Sequence, residues 1–404
     1  MDLKSGYPFW AIKNGLMHAF PQLQKDTSCD VAIIGGGISG ALIANELAGN
    51  GHDVAVFEER DVGWGSSAAS TALLQYEIDT HMIDLARWYG EDDAVLAYRA
   101  CADAIPMLQD LSSELRDVDF GRMYSLYYAS RRRHVPVMQE ELALRRKHGF
   151  GVSWLEPGEL HDHYGIDAPG AMLSELAARI DPYRMAYRLF TRLEKRGTGV
   201  FDRTRIERVD ASARGVTLQT TDGVRIKAAH MVFAAGYASQ KWLDQRVAHN
   251  RSSYAFITDP LNKTRLRALA DTMVWESARP YLYMRSTGDG RLLVGGEDDS
   301  IDIPIRRDAS VDKKARKLAK KVARAIPDLE LVPAFAWAGT FAETDDGLPF
   351  FGTHPQYGPR VQFAMAYGGN GISYSMAGAP LIRALIEKRR HPLAKLFSFD
   401  RLKR

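Results

Sequence analysis

Residues 30–59 read DVAIIGGGISGALIANELAGNGHDVAVFEE: an apolar run, a glycine cluster, an apolar stretch at helical spacing, and a second apolar run. The order is strand, tight turn, helix, turn and strand. Gly35, Gly37 and Gly40 form G-x-G-x-x-G between VAII and ISGALIANELA. The first glycine permits the turn, the second lets main chain approach a pyrophosphate, and the third lets the helix pack close to the strand. Ile38 and Ser39 open that helix, whose N-terminus adds N–H groups and a positive dipole end. Glu58 ends the second strand, placed for a ribose hydroxyl and unfavourable to the 2′-phosphate of NADP. The unit predicts an ADP-containing dinucleotide.

Beyond it lies GWGSSAASTALL (63–74), a run almost without side chains beside a single indole. Two further glycine turns follow far along the chain: VFAAGYAS (232–239), a strand ending in Ala-Ala-Gly, and YGGNGISYSMAGAPLIRALI (367–386), a glycine turn opening a helix. A nicotinamide dehydrogenase continues with βα units after its acidic residue. This chain instead enters a long helical stretch over 80–117. An extended cofactor such as FAD needs close main-chain approach at several places, and three spaced glycine turns supply them.

The rest of the chain is that of an ordinary globular protein. Of 404 residues, 46% are apolar and 25% charged, and a net charge of +3 gives no argument for nucleic acid. Cys29 and Cys101 match neither zinc spacing nor a disulfide framework, and the histidines show no metal spacing. No apolar h-region opens the chain and no eighteen-residue apolar stretch crosses it, so the expectation is a soluble, cytoplasmic protein. Aromatics in residues 1–28 (Tyr7, Phe9, Trp10, Phe20) are expected to pack on the body. Asp181-Pro182 reads as an N-cap followed by Pro at N1. Strands are expected at 123–130, within 199–235 and 254–296, and at 361–366, with helices around 134–148, 311–326 and 372–388.

Taken in order, VAIIGGGISG, the spaced glutamate, RDVGWGSSAAS, ARIDPYRM, VFAAG, RLLVGGED, WAGTFAETDDGLPFFG and YGGNGIS resemble the FAD-dependent D-amino-acid-oxidase superfamily. Within it the chain is most similar to the glycine oxidase, sarcosine oxidase and γ-glutamylputrescine oxidoreductase group, and VGWG resembles the putrescine-type branch. The resemblance spans about residues 28–390. It implies an α/β fold: a Rossmann-type, glutathione-reductase-like FAD-binding domain interleaved with an α+β substrate domain on a mainly antiparallel sheet. Expected segments are 1–85, 176–245 and 336–404 for the first, and 86–175 and 246–335 for the second.

For the cofactor, the resemblance implies roles for Gly35, Gly37, Ile38, Ser39, Gly40, Glu58 and Arg60 at the ADP half. Trp64, Gly65, Ser66, Ser67, Ala68 and Ala69 would lie along the isoalloxazine ring. Val209 would flank adenine, and Ala235 and Gly236 would close the second turn. Gly339, Gly368, Gly369, Asn370, Gly371 and Ile372 would complete the flavin site. Lacking His and Cys, the small-residue run implies non-covalent FAD. Trp64 reads either as a shield beside the ring or as a core residue.

Amine-oxidising members take a hydride equivalent from a carbon beside nitrogen. Arginines that would bind a substrate carboxylate fall at Phe341 and Gly369 here, so both are absent. Tyr281, Tyr283 and Glu77, with Asp79, Glu343, Asp345 and Asp346, suit a cationic amine without an α-carboxylate, perched between acids and aromatic faces. The rival reading is a small or N-methylated amino acid, clamped by Arg285 or another arginine. A third is an FAD-binding subunit that needs a partner for activity. The electron acceptor is oxygen, a quinone or another oxidant. The basic stretch KKARKLAKKVARAIP (313–327) reads as a surface helix with Leu318, Val322 and Ile326 on the core, or as a membrane-contacting one.

Overall fold

In the computed structural model, which describes residues 2–300, 302–365 and 367–403, VAII and VAVF become parallel neighbours. Thr27–Ile34 pairs with Val54–Phe57 on one side and with Arg225–Phe233 on the other. The eight-stranded sheet runs Phe350–Thr353, Val361–Met365, Arg225–Phe233, Thr27–Ile34, Val54–Phe57 and Gly199–Phe201, with the hairpin Ile206–Ala211 and Val216–Thr220 branching from the start of Arg225–Phe233. The five strands from Val361–Met365 to Gly199–Phe201 are parallel, and Phe350–Thr353 is an antiparallel edge. Val31–Ile34 and Val54–Phe57 are buried on both faces, as a parallel strand covered by helices must be. Ile38–Gly49 covers one face, packed on Gly371–Ile386 and Pro182–Lys195.

The nine-stranded second sheet runs Phe335–Glu343, His249–Ile257, Leu292–Asp299, Leu282–Ser286, Thr272–Glu276, Gly121–Tyr128, Ala171–Arg179 and Leu73–Gln75, with Val152–Leu155 on Ala171–Arg179. All its pairings are antiparallel except Thr272–Glu276 with Gly121–Tyr128. Leu73–Gln75 and Phe335–Glu343 fall in or at the edge of segments assigned from sequence to the cofactor unit, yet both hydrogen-bond into this sheet. The chain therefore changes sheets directly after the small-residue run.

Local signals explain the helix ends. Asp181 Oδ1 accepts from Arg184 N at 2.9 Å, the N-cap read from sequence. The stretch expected as helix over 80–117 is two helices, Met82–Tyr89 and Glu91–Ser113. Gly90 parts them at φ +91°, a backbone that ends a right-handed helix. Phe9, Trp10 and Phe20 are core residues, whereas Tyr7 is exposed, edge-on to Trp64.

The helix Pro304–Ala325 lays Leu318 and Val322, followed by Ile326, on the core of the second sheet, the packing that the surface-helix reading expects. Among the described residues, no helix is long and apolar enough to cross a membrane.

Between Glu91–Ser113 and the second sheet lies a fully buried ionic cluster. Arg145 donates to Glu141 at 2.8 Å and stands 3.7 Å from Glu77, which also accepts from Ser174 Oγ at 2.6 Å. Glu141 in turn accepts from Met82 N and Ile83 N, each at 3.0 Å, at the start of a helix. Replacing Arg145 with Leu strands two buried carboxylates. We expect a loss of about 3–5 kcal/mol in unfolding free energy, measured by denaturant titration of the holoprotein.

Candidate active site

A continuous cavity runs along the carboxyl ends of the parallel strands and on to the second sheet. The first glycine turn is packed against its neighbours. Gly35 N donates to Phe57 O, Ala234 N donates to Ile34 O, and a Cβ on Gly35 (φ +122°) would stand 2.4 Å from Ala234 O. At Gly40 a Cβ would meet Gly35 O at 2.0 Å, so the helix rests directly on the turn. Glu58 bridges the loop, accepting from Gly36 N at 2.7 Å and Arg60 N at 3.0 Å. Its enclosure raises the carboxyl above the usual range, against those two N–H groups and the Arg60 charge.

Gly65, Ser66, Ser67 and Ala69 form the next wall. Behind them three consecutive carbonyls are held by side chains from three distant segments. Trp337 Nε1 donates to Ala69 O at 2.8 Å, Trp10 Nε1 to Ser70 O at 2.7 Å, and Arg285 Nε to Thr71 O at 2.8 Å. Ser67 Oγ accepts from Ile38 N at 2.9 Å, tying this run to the dinucleotide helix. Gly339 passes beneath, where a Cβ would crowd Ala69 Cβ at 3.2 Å.

The other two turns close the cavity. Tyr237 OH donates to Gly368 O at 2.9 Å, linking them. Asn370 Nδ2 donates to Glu77 O at 2.8 Å and Gln75 O at 3.2 Å, fixing the start of Gly371–Ile386. The far end of the cavity is made of side chains: Trp275, Tyr281, Tyr283, Phe341, Asp298 and Glu343, with Asp79 beside Gly369.

The family model described as FAD dependent oxidoreductase (DAO) matches residues 30–385. The chain belongs to the DAO family.

Among curated relatives of this DAO-family chain, the glycine oxidase of Geobacillus kaustophilus (strain HTA426) is 26% identical over 89% of this chain and 93% of its own. The γ-glutamylputrescine oxidoreductase of Escherichia coli (strain K12) is 22% identical over 91% and 85%. Among solved structures, glycine oxidase from Geobacillus kaustophilus has a TM-score of 0.75 at 22% identity, over 92% of this chain and 98% of that one. L-Proline dehydrogenase from P. horikoshii has 0.77 at 18%, over 94% and 99%.

The cofactor of this DAO-family protein is FAD, and the cavity suits it. Gly236 lines the wall at φ +55° with no atom within 4 Å of where a Cβ would stand, so its main chain is open to a ligand. Arg60 and Lys241 are the cations among the described lining residues; Arg60 acts on Glu58 and Lys241 stands 3.7 Å from Glu59, so both lie at the end of the cavity where a diphosphate needs positive charge. Gly35, Gly37, Ile38, Ser39, Glu58, Ala235 and Gly368 to Ile372 all line the cavity, as do Gly339 and most of the small-residue run.

Several expectations are corrected. Val209 lies outside the cavity, because Ile206–Ala211 leaves as a hairpin arm, and Thr204 and Ile206 take the wall position. Ala68 faces the core and Gly40 the turn. Trp64 is not a shield: it turns away, under Lys4 Nζ at 3.8 Å from its ring centroid. Glu77 is not catalytic, since its carboxylate belongs to the buried Arg145 cluster and only its carbonyl serves the site. Arg285 is no carboxylate clamp: it is fully buried and spends its guanidinium on the carbonyls of Thr71, Ser286 and Ile180. Asp345 is an exposed turn residue, whereas Asp346 is held by Arg401 and Tyr89.

Tyr283, in the strand Leu282–Ser286, and Tyr281, just before it, do reach the cavity. Burial raises both phenols, Tyr283 to about 12, so each stays neutral as a hydrogen-bonding group. Trp275, Ser253 and Asp298 also line the cavity and carry no motif of their own; the available signal for the last is that it is the second of the two acids after the glycine pair of RLLVGGED.

Gly35→Ala is expected to purify almost without flavin, read as visible flavin absorbance per protein. Gly158→Ala, at a position with open space and no positive φ, is expected to keep its full complement.

Proposed function

We propose that this FAD-dependent oxidoreductase oxidises the CH–NH bond of a cationic amine without an α-carboxylate. The carrying observation is the segregation of charge along the cavity. Among the described lining residues both cations stand at the ADP end, while the far end combines Trp275, Tyr281, Tyr283 and Phe341 with the carboxylates of Asp79, Asp298 and Glu343, the last paired with Arg251. An ammonium is favoured by aromatic faces and carboxylates, and a substrate carboxylate would be repelled there.

When bound, FAD would supply the redox chemistry as acceptor of a hydride, one proton with two electrons, from the carbon beside nitrogen, while the nitrogen gives up its proton to solvent and the resulting imine is hydrolysed by water. The protein's residues do the rest. Tyr281 and Tyr283 wall the substrate and offer neutral hydroxyls. Phe341 fills the slot of a carboxylate-binding arginine. The helix beginning at Gly371 aims its positive end at the cavity, where negative charge is stabilised. The relatives named above act on amine and amino-acid donors by their names, which supports C–N oxidation here.

A second reading rests on Arg279, a rim residue 4.1 Å over the Tyr281 ring that donates to Asp79 O at 3.2 Å. Swung inward, it would serve the carboxylate of a small or N-methylated amino acid.

Anaerobic flavin bleaching against diamines, monoamines and small amino acids separates the readings. Preference for amines is expected, and bleaching by glycine, sarcosine or a D-amino acid alone overturns the proposal. Peroxide release on re-aeration then distinguishes oxidase from dehydrogenase. No His or Cys is among the described lining residues, so acid precipitation is expected to leave the flavin in the supernatant.

A further inference from the structure

The strand Leu292–Asp299 does not end regularly. Opposite it, Ser252 pairs with Asp299 but Tyr254 pairs with Gly296, so three steps on one strand answer two on the other. That is a β-bulge, a device that re-aims side chains beside active sites. Gly296 adopts φ +131° and Glu297 φ +56°, the latter costly for a residue with a Cβ. At Gly296 a Cβ would stand 1.9 Å from Tyr281 O, so the bulge is pressed against the strand that carries the active-site tyrosines.

The bulge is pinned from behind by the helix Pro304–Ala325. Lys314, Lys317 and Lys321, at i, i+3 and i+7, share one face of it. Lys314 Nζ donates to Glu297 O and pairs with Asp299 Oδ1, both at 2.6 Å. Lys317 and Lys321 pair with the Glu297 carboxylate at 2.5 and 2.8 Å. Burial works against that charge, yet the two lysines hold Glu297 below the usual carboxylate range. The residues on either side of Asp298 are thus drawn to the helix, and Asp298 is turned the other way, into the cavity. Its Oδ1 is buried without a hydrogen-bond partner among the described residues.

We propose that Asp298 is the anionic contact for the substrate's ammonium group, and that the lysine row acts through Glu297 as its positioning brace. The inference rests on the cationic-amine reading and names the residue that enforces it. Burial raises the Asp298 carboxyl to about 6; Ser253 favours its charged form, Asp79 and Glu343 oppose it, and Arg279 favours it. Asp298 is therefore charged at neutral pH and neutralised as pH falls through about 6, where cation binding is lost.

The test uses holoenzyme and benzyltrimethylammonium, a permanent cation that cannot donate an N–H hydrogen, titrated by its perturbation of the flavin spectrum. Wild type is expected to bind it and to lose affinity below about pH 6. Asp298→Asn should weaken binding about tenfold or more, as loss of a charged contact does, and remove that pH dependence. Glu297→Gln should weaken it less and shift the acid limb, with flavin content intact, a change that general destabilisation does not produce. No binding by wild type, or equal affinity and pH profile in Asp298→Asn, overturns the proposal. If only amino acids bleach the flavin while Asp298 still governs cation binding, the substrate reading alone fails. If amines bleach it and their KM ignores Asp298→Asn, the Asp298 contact alone fails.

Discussion

The carbonyl of Ala234 occupies the place a side chain on Gly35 would need. That single steric fact fixes how closely the three central strands end together, and most of the site follows from it. Because the ends of Thr27–Ile34, Val54–Phe57 and Arg225–Phe233 converge, Glu58 can reach Gly36, and the dinucleotide helix can rest on its own turn. The cavity opens at the point where neighbours leave a central parallel strand in opposite directions, the usual place for a ligand in such sheets.

The run at 63–74 joins this crevice to the second sheet, and its bareness has two physical sources. Toward the cavity it leaves main chain exposed. On the other side Gly339 and Ala69 approach so closely that nothing larger fits. Its rigidity comes from elsewhere, from two indoles and a guanidinium that each take one carbonyl. A segment with almost no side chains of its own is therefore shaped by side chains 60 to 268 residues away.

Local features were legible in the sequence: the glycine turns, Glu58, the Asp181 cap and the apolar parallel strands. Each depends on neighbours in the chain or on a backbone conformation that only glycine supplies. Misreadings came where meaning depends on partners distant in sequence. Glu77 looks available until Arg145 is seen beside it, and Arg285 looks like a clamp until three carbonyls claim it. Val209 was placed on the wall because a strand leaving as a hairpin has no separate sequence mark. Asp298 was missed because a bulge reverses the alternation by which strand faces are read. Trp64 was ambiguous in sequence, and its neighbour Lys4 decided against the ring.

The cofactor seat is built mainly from main chain and the far end almost wholly from side chains on the second sheet. On the proposed reading, substitutions at Trp275, Tyr281, Phe341 or Asp298 would change the chemistry offered to a substrate without entering the network that shapes the seat. The two halves can thus diverge at different speeds. Such a scaffold is evolvable in a particular sense: a new substrate needs only a few new side chains on one sheet, while the electron-accepting apparatus is inherited whole.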